Sequence, residues 1–135
     1  MIKKIYVKIL LFLLGGAGYG ICELLWRGYT HFSMIILGGV CFCVIFTADI
    51  KFCELSFALR CFFSGLFITS MELVCGCIVN MVFRMNVWDY SQIPFNLYGQ
   101  ICLSFSLLWM LLSALILVVC SYLRRYFDNC GINMC

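Results

Sequence analysis

The chain has 135 residues, of which 65% are hydrophobic and 15 are charged, nine basic and six acidic. Its mean hydropathy of +1.09 lies far above that of a soluble domain, which is about half apolar. Folded in water, such a chain would expose large apolar patches, which soluble monomers rarely do. The composition therefore excludes a water-soluble globular protein and predicts a polytopic membrane protein with the lipid bilayer as its solvent.

Charge and cysteine content argue against two further classes, nucleic-acid-binding proteins and metalloproteins. The net charge is +3, but the basic residues do not form a patch interleaved with aromatic residues, so nucleic acid is not an expected partner. Most of the eleven cysteines fall inside apolar runs, where free cysteine behaves as a small hydrophobe. The closest pairs, Cys41 with Cys43 and Cys75 with Cys77, lack the C-x-x-C spacing. No metal site and no cofactor are expected.

Four apolar runs have the length of a membrane span, roughly twenty residues in a helix. We predict an all-α, four-helix transmembrane bundle that forms a single domain over residues 1–135. The predicted helices cover about 5–26, 32–48, 57–83 and 101–123, and a longer loop covers 84–100.

The distribution of lysine and arginine predicts the orientation of these helices. With alternating loops, seven basic residues lie on the side of the termini: Lys3, Lys4, Lys8, Lys51, Arg60, Arg124 and Arg125. Only Arg27 and Arg84 lie on the other side. Because positive residues favour the cytoplasmic side, we expect a cytoplasmic-membrane protein with both termini in the cytoplasm. The even number of spans agrees with that expectation.

Ionisable residues within the spans are costly in lipid and indicate either paired packing or a functional site. Glu23 and Arg27 have an i, i+4 spacing that places both on one helix face. On the third helix, Gly65, Thr69, Glu72, Gly76 and Asn80 form a stripe of small and polar residues. Close packing of glycine faces, with the acids paired to Arg27 and Arg84, would explain these stripes without a ligand.

Our preferred interpretation is an outward-facing polar pocket, because packing alone does not require several ionisable groups at one depth. The longer loop contributes Asp89, a typical turn residue, and Asn96, which we expect to cap the fourth helix. His31 is a lone histidine near the membrane interface, and such a residue is more often solvated or capping than a ligand or base. The predicted ligand-binding residues are Glu23, Arg27, His31, Glu72, Asp89, Asn96 and Gln100; catalytic residues cannot be assigned.

The longer loop and the helix after it carry a family signature. It consists of Trp88-Asp89-Tyr90-Ser91, Pro94-Phe95-Asn96-Leu97 and Gly99-Gln100-Ile101-Cys102-Leu103, followed by Trp109. This signature resembles the bacterial family of putative ABC-transporter type IV proteins, also called CmpB-like. Glu23 and the pair Arg27-Gly28 are similar to that family's amino-terminal residues. The resemblance implies a permease, and since the chain has no phosphate-binding loop, any ATPase would be a separate chain.

Three functions remain open from the sequence. The first is a transporter or ligand-binding membrane component, with a second copy or another membrane protein as a partner. The second is an intramembrane enzyme acting on a lipid or peptide, which requires His31 within hydrogen-bond reach of Glu23 or Glu72. The third is an accessory protein whose glycine faces bind another membrane protein.

Overall fold

A computed structural model of the chain describes residues 2–132, so that residue 1 and residues 133–135 of the predicted domain lie outside the described part. The regular elements are α1 (Ile2–Arg27), α2 (Phe32–Lys51), α3 (Phe57–Gly76), a π-helical segment (Cys77–Val82), β1 (Asn96–Leu97), β2 (Ile101–Cys102) and α4 (Leu103–Asn129). All four long helices are long and apolar enough to cross a membrane. The structure thus confirms the predicted all-α fold of a four-helix membrane protein.

Two helix boundaries differ from the predicted ones in an informative way. We expected one uninterrupted third helix over 57–83, but α3 changes to π-helical hydrogen bonding at Cys77. The fourth helix begins at Leu103 instead of about 101, because residues 101–102 pair antiparallel with residues 96–97. The two-residue pairing closes a compact structure over residues 83–102, which we call the cap.

The helices alternate in direction, so the bundle has two different ends. The cap and the α1–α2 turn lie at one end, here called the loop end. The first residues of α1, the α2–α3 turn and the last residues of α4 lie at the other, here called the terminal end.

The helix starts are fixed by side-chain caps in two cases. The His31 side chain accepts a hydrogen bond from the backbone N–H of Ser33 at the start of α2, and Ser56 accepts from Leu59 N at the start of α3. The prediction that Asn96 caps the fourth helix is wrong. Cys102 occupies that position and makes no side-chain cap, because Asn96 is held six residues earlier in the β pairing.

Glycines allow the helices to pack as two close hairpins, α1 with α2 and α3 with α4. A Cβ added to Gly16 would lie 2.7 Å from the carbonyl oxygen of Ile35, and one added to Gly38 would lie 2.7 Å from that of Gly15. In the second hairpin, a Cβ on Gly65 would lie 2.6 Å from the Cα of Met110. Small residues at such contacts let helix backbones approach closely in membranes.

We expect Gly65→Ala to destabilise the α3–α4 hairpin, because its methyl group would meet the Met110 backbone, which cannot rotate away. The expected loss is about 1–3 kcal/mol, typical of overpacking. Gly18→Ala is the matched control, since no atom lies within 4 Å of a Cβ at that position. Thermal denaturation in detergent should show a lowered midpoint for Gly65→Ala only. Equal midpoints would contradict a close α3–α4 contact at this position.

Candidate functional site

An ion pair lies at the loop end of α1. Arg27 Nη2 donates to Glu23 Oε1 at 2.6 Å, as the i, i+4 spacing predicts. The second carboxylate oxygen of Glu23 accepts from the hydroxyl of Thr30 at 2.7 Å, and Arg27 Nη1 donates to the carbonyl of Val87 at 2.8 Å. The pair therefore connects α1 both to the α1–α2 turn and to the cap. The guanidinium also lies 4.6 Å from the centre of the Tyr29 ring.

Glu72 lies in the interior of the bundle and is only 2% exposed. Its Oε1 accepts a hydrogen bond from the hydroxyl of Tyr19 on α1 at 2.8 Å. Within residues 2–132, no lysine or arginine lies at ion-pair distance from this carboxyl. Two buried polar atoms on nearby side chains lack a hydrogen bond of good geometry in the described structure: Thr69 Oγ1 and Trp109 Nε1, the latter close to the Glu72 carboxyl. The interior thus holds an acid with one well-formed hydrogen bond and unused polar capacity around it.

A groove runs between α1 and α4, here called the α1–α4 groove. Its loop-end part has a volume of about 200 Å³ and is lined by Glu23, Arg27 and aromatic side chains. The part nearer the middle of the bundle has about 280 Å³ and an apolar lining that includes Leu14 and Val119. Tyr19 and Trp109 line both parts, and their rings stack at 5.2 Å. Because the Tyr19 hydroxyl also reaches Glu72, this residue connects the groove with the buried acid.

Asn80 and Gln100 join the cap to the helical bundle through a network of hydrogen bonds. The Asn80 side chain donates to Gln100 Oε1 at 2.8 Å and to the carbonyl of Trp88 at 3.1 Å, and it accepts from the N–H of Val87 at 2.7 Å. The Trp88 indole donates to the carbonyl of Gln100 at 2.9 Å. Gln100 and Asn80 are both buried, so these bonds replace water for polar groups that lie inside the protein. Asn80 stands in the π-helical segment, a backbone irregularity frequent at functional sites.

Asp89 and Asn96 form turns within the cap itself. Asp89 is exposed, and its carboxylate accepts from the backbone N–H of Ser91 at 2.8 Å, a bond that holds the pKa of this carboxyl below its usual value. Asn96 donates to the carbonyls of Ser91 and Ile93 and accepts from the N–H of Gly99. Gly99 has a φ of +67°, a conformation that favours glycine. Both polar side chains are therefore engaged with the cap's own backbone.

The predicted site residues thus lie in four places. Glu23 and Arg27 line the groove, and Glu72 lies behind Tyr19. Asp89, Asn96 and Gln100 are bonded within the cap, away from the groove lining. His31 is hydrogen-bonded to Ser33, with 2.7 Å between Nδ1 and the hydroxyl. The expected single pocket therefore contains only part of the predicted set.

A second polar cluster, at the terminal end, was not predicted as a site. Asp49 on α2 is buried and accepts from Arg60 Nη1 on α3 at 2.5 Å, while Arg124 on α4 lies 3.8 Å from its other oxygen. Asp49 lies one residue beyond the predicted second span, over 32–48, and Arg60 and Arg124 entered the prediction only as topology charges. The sequence feature that could have revealed this cluster is the apolar run, which continues through residue 50 and places Asp49 inside α2.

The groove and the buried acid belong to a multi-pass membrane protein with four spanning helices. The family described as "Putative ABC-transporter type IV" has a model that matches residues 8–132. The chain belongs to this family, and the resemblance seen in its sequence is confirmed over nearly the whole length. A search of curated proteins found no match, and a search of solved structures found none either.

The Asn80 network predicts how the cap responds to substitution. Asn80→Ala removes the acceptor of the Val87 N–H and a donor to the Trp88 carbonyl, which leaves buried backbone groups unpaired. We expect a loss of about 1–3 kcal/mol in stability and faster proteolysis within residues 83–102. The control Gln92→Ala changes an exposed residue of the same cap and should stay within about 0.5 kcal/mol of wild type. Similar proteolysis rates for both variants would contradict an anchoring role of Asn80.

Proposed function

We propose that the protein is a ligand-binding component of a membrane transport system, and that its ligand enters the α1–α4 groove. The observation that carries the proposal is the environment of Glu72. A carboxyl buried among apolar helices is costly, and such residues commonly mark ligand or ion pathways. Here Tyr19, which lines the groove, donates a hydrogen bond of 2.8 Å to the carboxyl.

The polar atoms around Glu72 favour a ligand over simple packing. If the acid served only to hold helices together, the surrounding donors and acceptors should be satisfied. Instead, Thr69 Oγ1 remains without a partner in the described structure, and the Trp109 indole, which lies close to the carboxyl, makes no hydrogen bond of good geometry. A ligand with a cationic or hydrogen-bonding group could pair with Glu72 once the Tyr19 side chain turns aside.

The Glu23–Arg27 pair supports a binding role for the loop end of the groove. The two opposite charges cancel, yet each group lines the groove, with side chains 13% and 18% exposed. Arg27 retains a buried Nε without a partner in the described structure, so that a ligand acceptor could be added to it. The apolar continuation toward Leu14 and Val119 suits a ligand with an apolar portion.

The other two functions considered from the sequence receive less support from the structure. An enzyme that uses His31 as the partner of a glutamate needs hydrogen-bond reach between them. In the structure His31 is hydrogen-bonded to Ser33, and the Glu23 carboxylate accepts from the hydroxyl of Thr30 instead. An accessory protein would need free glycine faces. Gly15, Gly16, Gly38 and Gly39 are already covered within the α1–α2 hairpin.

The partners and the orientation belong to the same proposal. Four helices form a small pathway, so transport would involve a second copy or another membrane protein. ATP-driven transport would need an ATPase on a separate chain, as the family description suggests. We also propose that the terminal end faces the cytoplasm, because seven of the nine basic residues lie toward that end. The groove's polar part would then open toward the outside.

The role of Glu72 can be tested with a neutral isostere. Glu72→Gln keeps an acceptor for Tyr19 but removes the negative charge, so that the variant should fold while losing ligand binding. The measurement is a thermal-shift screen of the purified protein against cationic, anionic and zwitterionic amphiphiles, followed by tryptophan fluorescence. Compounds that stabilise the wild type should bind the variant at least about tenfold more weakly, as expected for one charged hydrogen bond.

Glu54→Gln is the matched control, since Glu54 is an exposed acid in the α2–α3 turn at the terminal end. It should keep every shift seen in the wild type. Unchanged binding by Glu72→Gln would contradict the proposed site. A variant that fails to fold, with no compound stabilising the wild type, would favour the packing role of Glu72.

The orientation predicts which cysteines are accessible from outside the cell. Cys53 and Cys130 are exposed at the terminal end, and a cysteine introduced as Gln92→Cys would be exposed in the cap. Cys22 is also exposed and lines the groove, so the test uses a Cys22→Ser background. In that background a membrane-impermeant maleimide should label Gln92→Cys in intact cells, whereas the Cys22→Ser parent should be labelled only after permeabilisation. Labelling of the Cys22→Ser parent in intact cells would reverse the proposed orientation.

A further inference from the structure

We propose that the terminal end carries a second binding site, for an anionic phospholipid. The lipid phosphate would bind at Arg60 and Arg124, and one acyl chain would occupy the cavity between α2 and α3. This inference rests on residues that the α1–α4 groove does not use. It therefore stands or falls independently of the proposed transport function.

The cavity has the size and lining of a site for an apolar chain. Its volume is about 460 Å³, within the range of about 300–1,000 Å³ that is typical of ligand sites. Its walls include Val44 and Phe52 from α2 and its turn, Phe63 and Phe67 from α3, and Leu117 from α4. Almost all of its surface is apolar, and Asp49 and Arg60 are the charged residues in its lining. The cavity thus has one charged end and an apolar body, which match the headgroup and acyl chain of a phospholipid.

The charges at this end of the cavity favour an anion. Two guanidinium groups, those of Arg60 and Arg124, face the single carboxylate of Asp49, which leaves a formal charge of +1. Arg60 directs one Nη toward Asp49, while its Nε is buried without a partner in the described structure. Arg124 is about 30% exposed along its side chain and lies 3.8 Å from Asp49, so its donors are largely free. Guanidinium groups bind phosphate through paired hydrogen bonds.

The position of the cluster favours a membrane lipid over a soluble anion. Arg60 lies one turn after the start of α3 and Arg124 in the last turns of α4, where the helices reach the level of the lipid headgroups. Exposed Val44 and Phe63 line the cavity, so that it opens toward the surface that faces the hydrocarbon. Basic pockets between transmembrane helices are known sites for anionic headgroups. A soluble phosphate would leave this apolar cavity unfilled.

The test uses the purified full-length protein, stripped of lipid in a neutral detergent. Phosphatidylglycerol should raise the midpoint of thermal denaturation in a saturable manner, whereas phosphatidylcholine with the same acyl chains should not. Inorganic phosphate is the third arm and should have no effect. Arg124→Gln should weaken phosphatidylglycerol binding at least about tenfold, since it removes a charged hydrogen bond. Arg125→Gln, which removes the same charge from the exposed neighbouring residue, should keep wild-type affinity.

A second pair of variants tests the acyl-chain cavity without altering charge. Ser64 lines the cavity, so Ser64→Leu should fill part of it and weaken binding of phosphatidylglycerol. Ser70→Leu places the same side chain on an exposed position of α3 and should leave binding unchanged. This pair keeps the proposal testable even if Arg124→Gln were to unfold the protein.

Several results would overturn the proposal. Equal shifts with both lipids would show a general detergent or lipid effect, and an equal shift with phosphate would indicate a soluble-anion site. Equal losses in Arg124→Gln and Arg125→Gln would show attraction by net charge alone. If the variants instead dissociated a dimer while lipid affinity stayed unchanged, the cavity would be an interface between copies of the chain.

Discussion

The hydrogen bond between Tyr19 and Glu72 connects the two hairpins in the interior of the bundle, where water cannot replace a lost partner. Each hairpin is held by glycine contacts of its own, but these contacts do not fix how one hairpin sits on the other. A buried carboxyl supplies that constraint, because leaving it without a partner in an apolar interior would cost several kcal/mol. The same bond places Tyr19 at the wall of the α1–α4 groove. This bond therefore serves both the packing of the hairpins and the candidate binding site, while Asp49 with Arg60 and Arg124 joins the hairpins at the terminal end.

The cap shows that a family signature can reflect structure as much as ligand chemistry. Trp88, Asn96 and Gln100 all stand in the segment that carries the family resemblance, and each one is hydrogen-bonded within the cap or to Asn80 below it. Backbone groups in such a non-helical segment need partners near the membrane surface. Side-chain amides and an indole supply these partners here. The signature thus explains how residues 83–102 close the loop end of the bundle.

The polar clusters at the two ends of the bundle differ in net charge. At the loop end, Glu23 and Arg27 form a neutral ion pair in the lining of the groove. At the terminal end, Arg60 and Arg124 exceed the charge of Asp49 by one unit. A neutral pair with spare hydrogen-bonding capacity suits reversible binding of a ligand, while a net positive cluster suits a resident anionic headgroup. The bundle therefore separates its candidate ligand site from its candidate lipid site along the membrane normal.

By itself, the sequence determined the membrane class, the four spans and the Glu23–Arg27 pair, because span length, hydropathy and i, i+4 spacing are local properties. Only the tertiary structure decided which polar residues meet. Asp89 and Asn96 were predicted as site residues because the loop over 84–100 lies at the same end of the bundle as Glu23 and Arg27, yet their side chains bond to backbone groups close by. Contacts such as Tyr19 with Glu72, 53 residues apart, depend on how the hairpins pack, which no local pattern encodes.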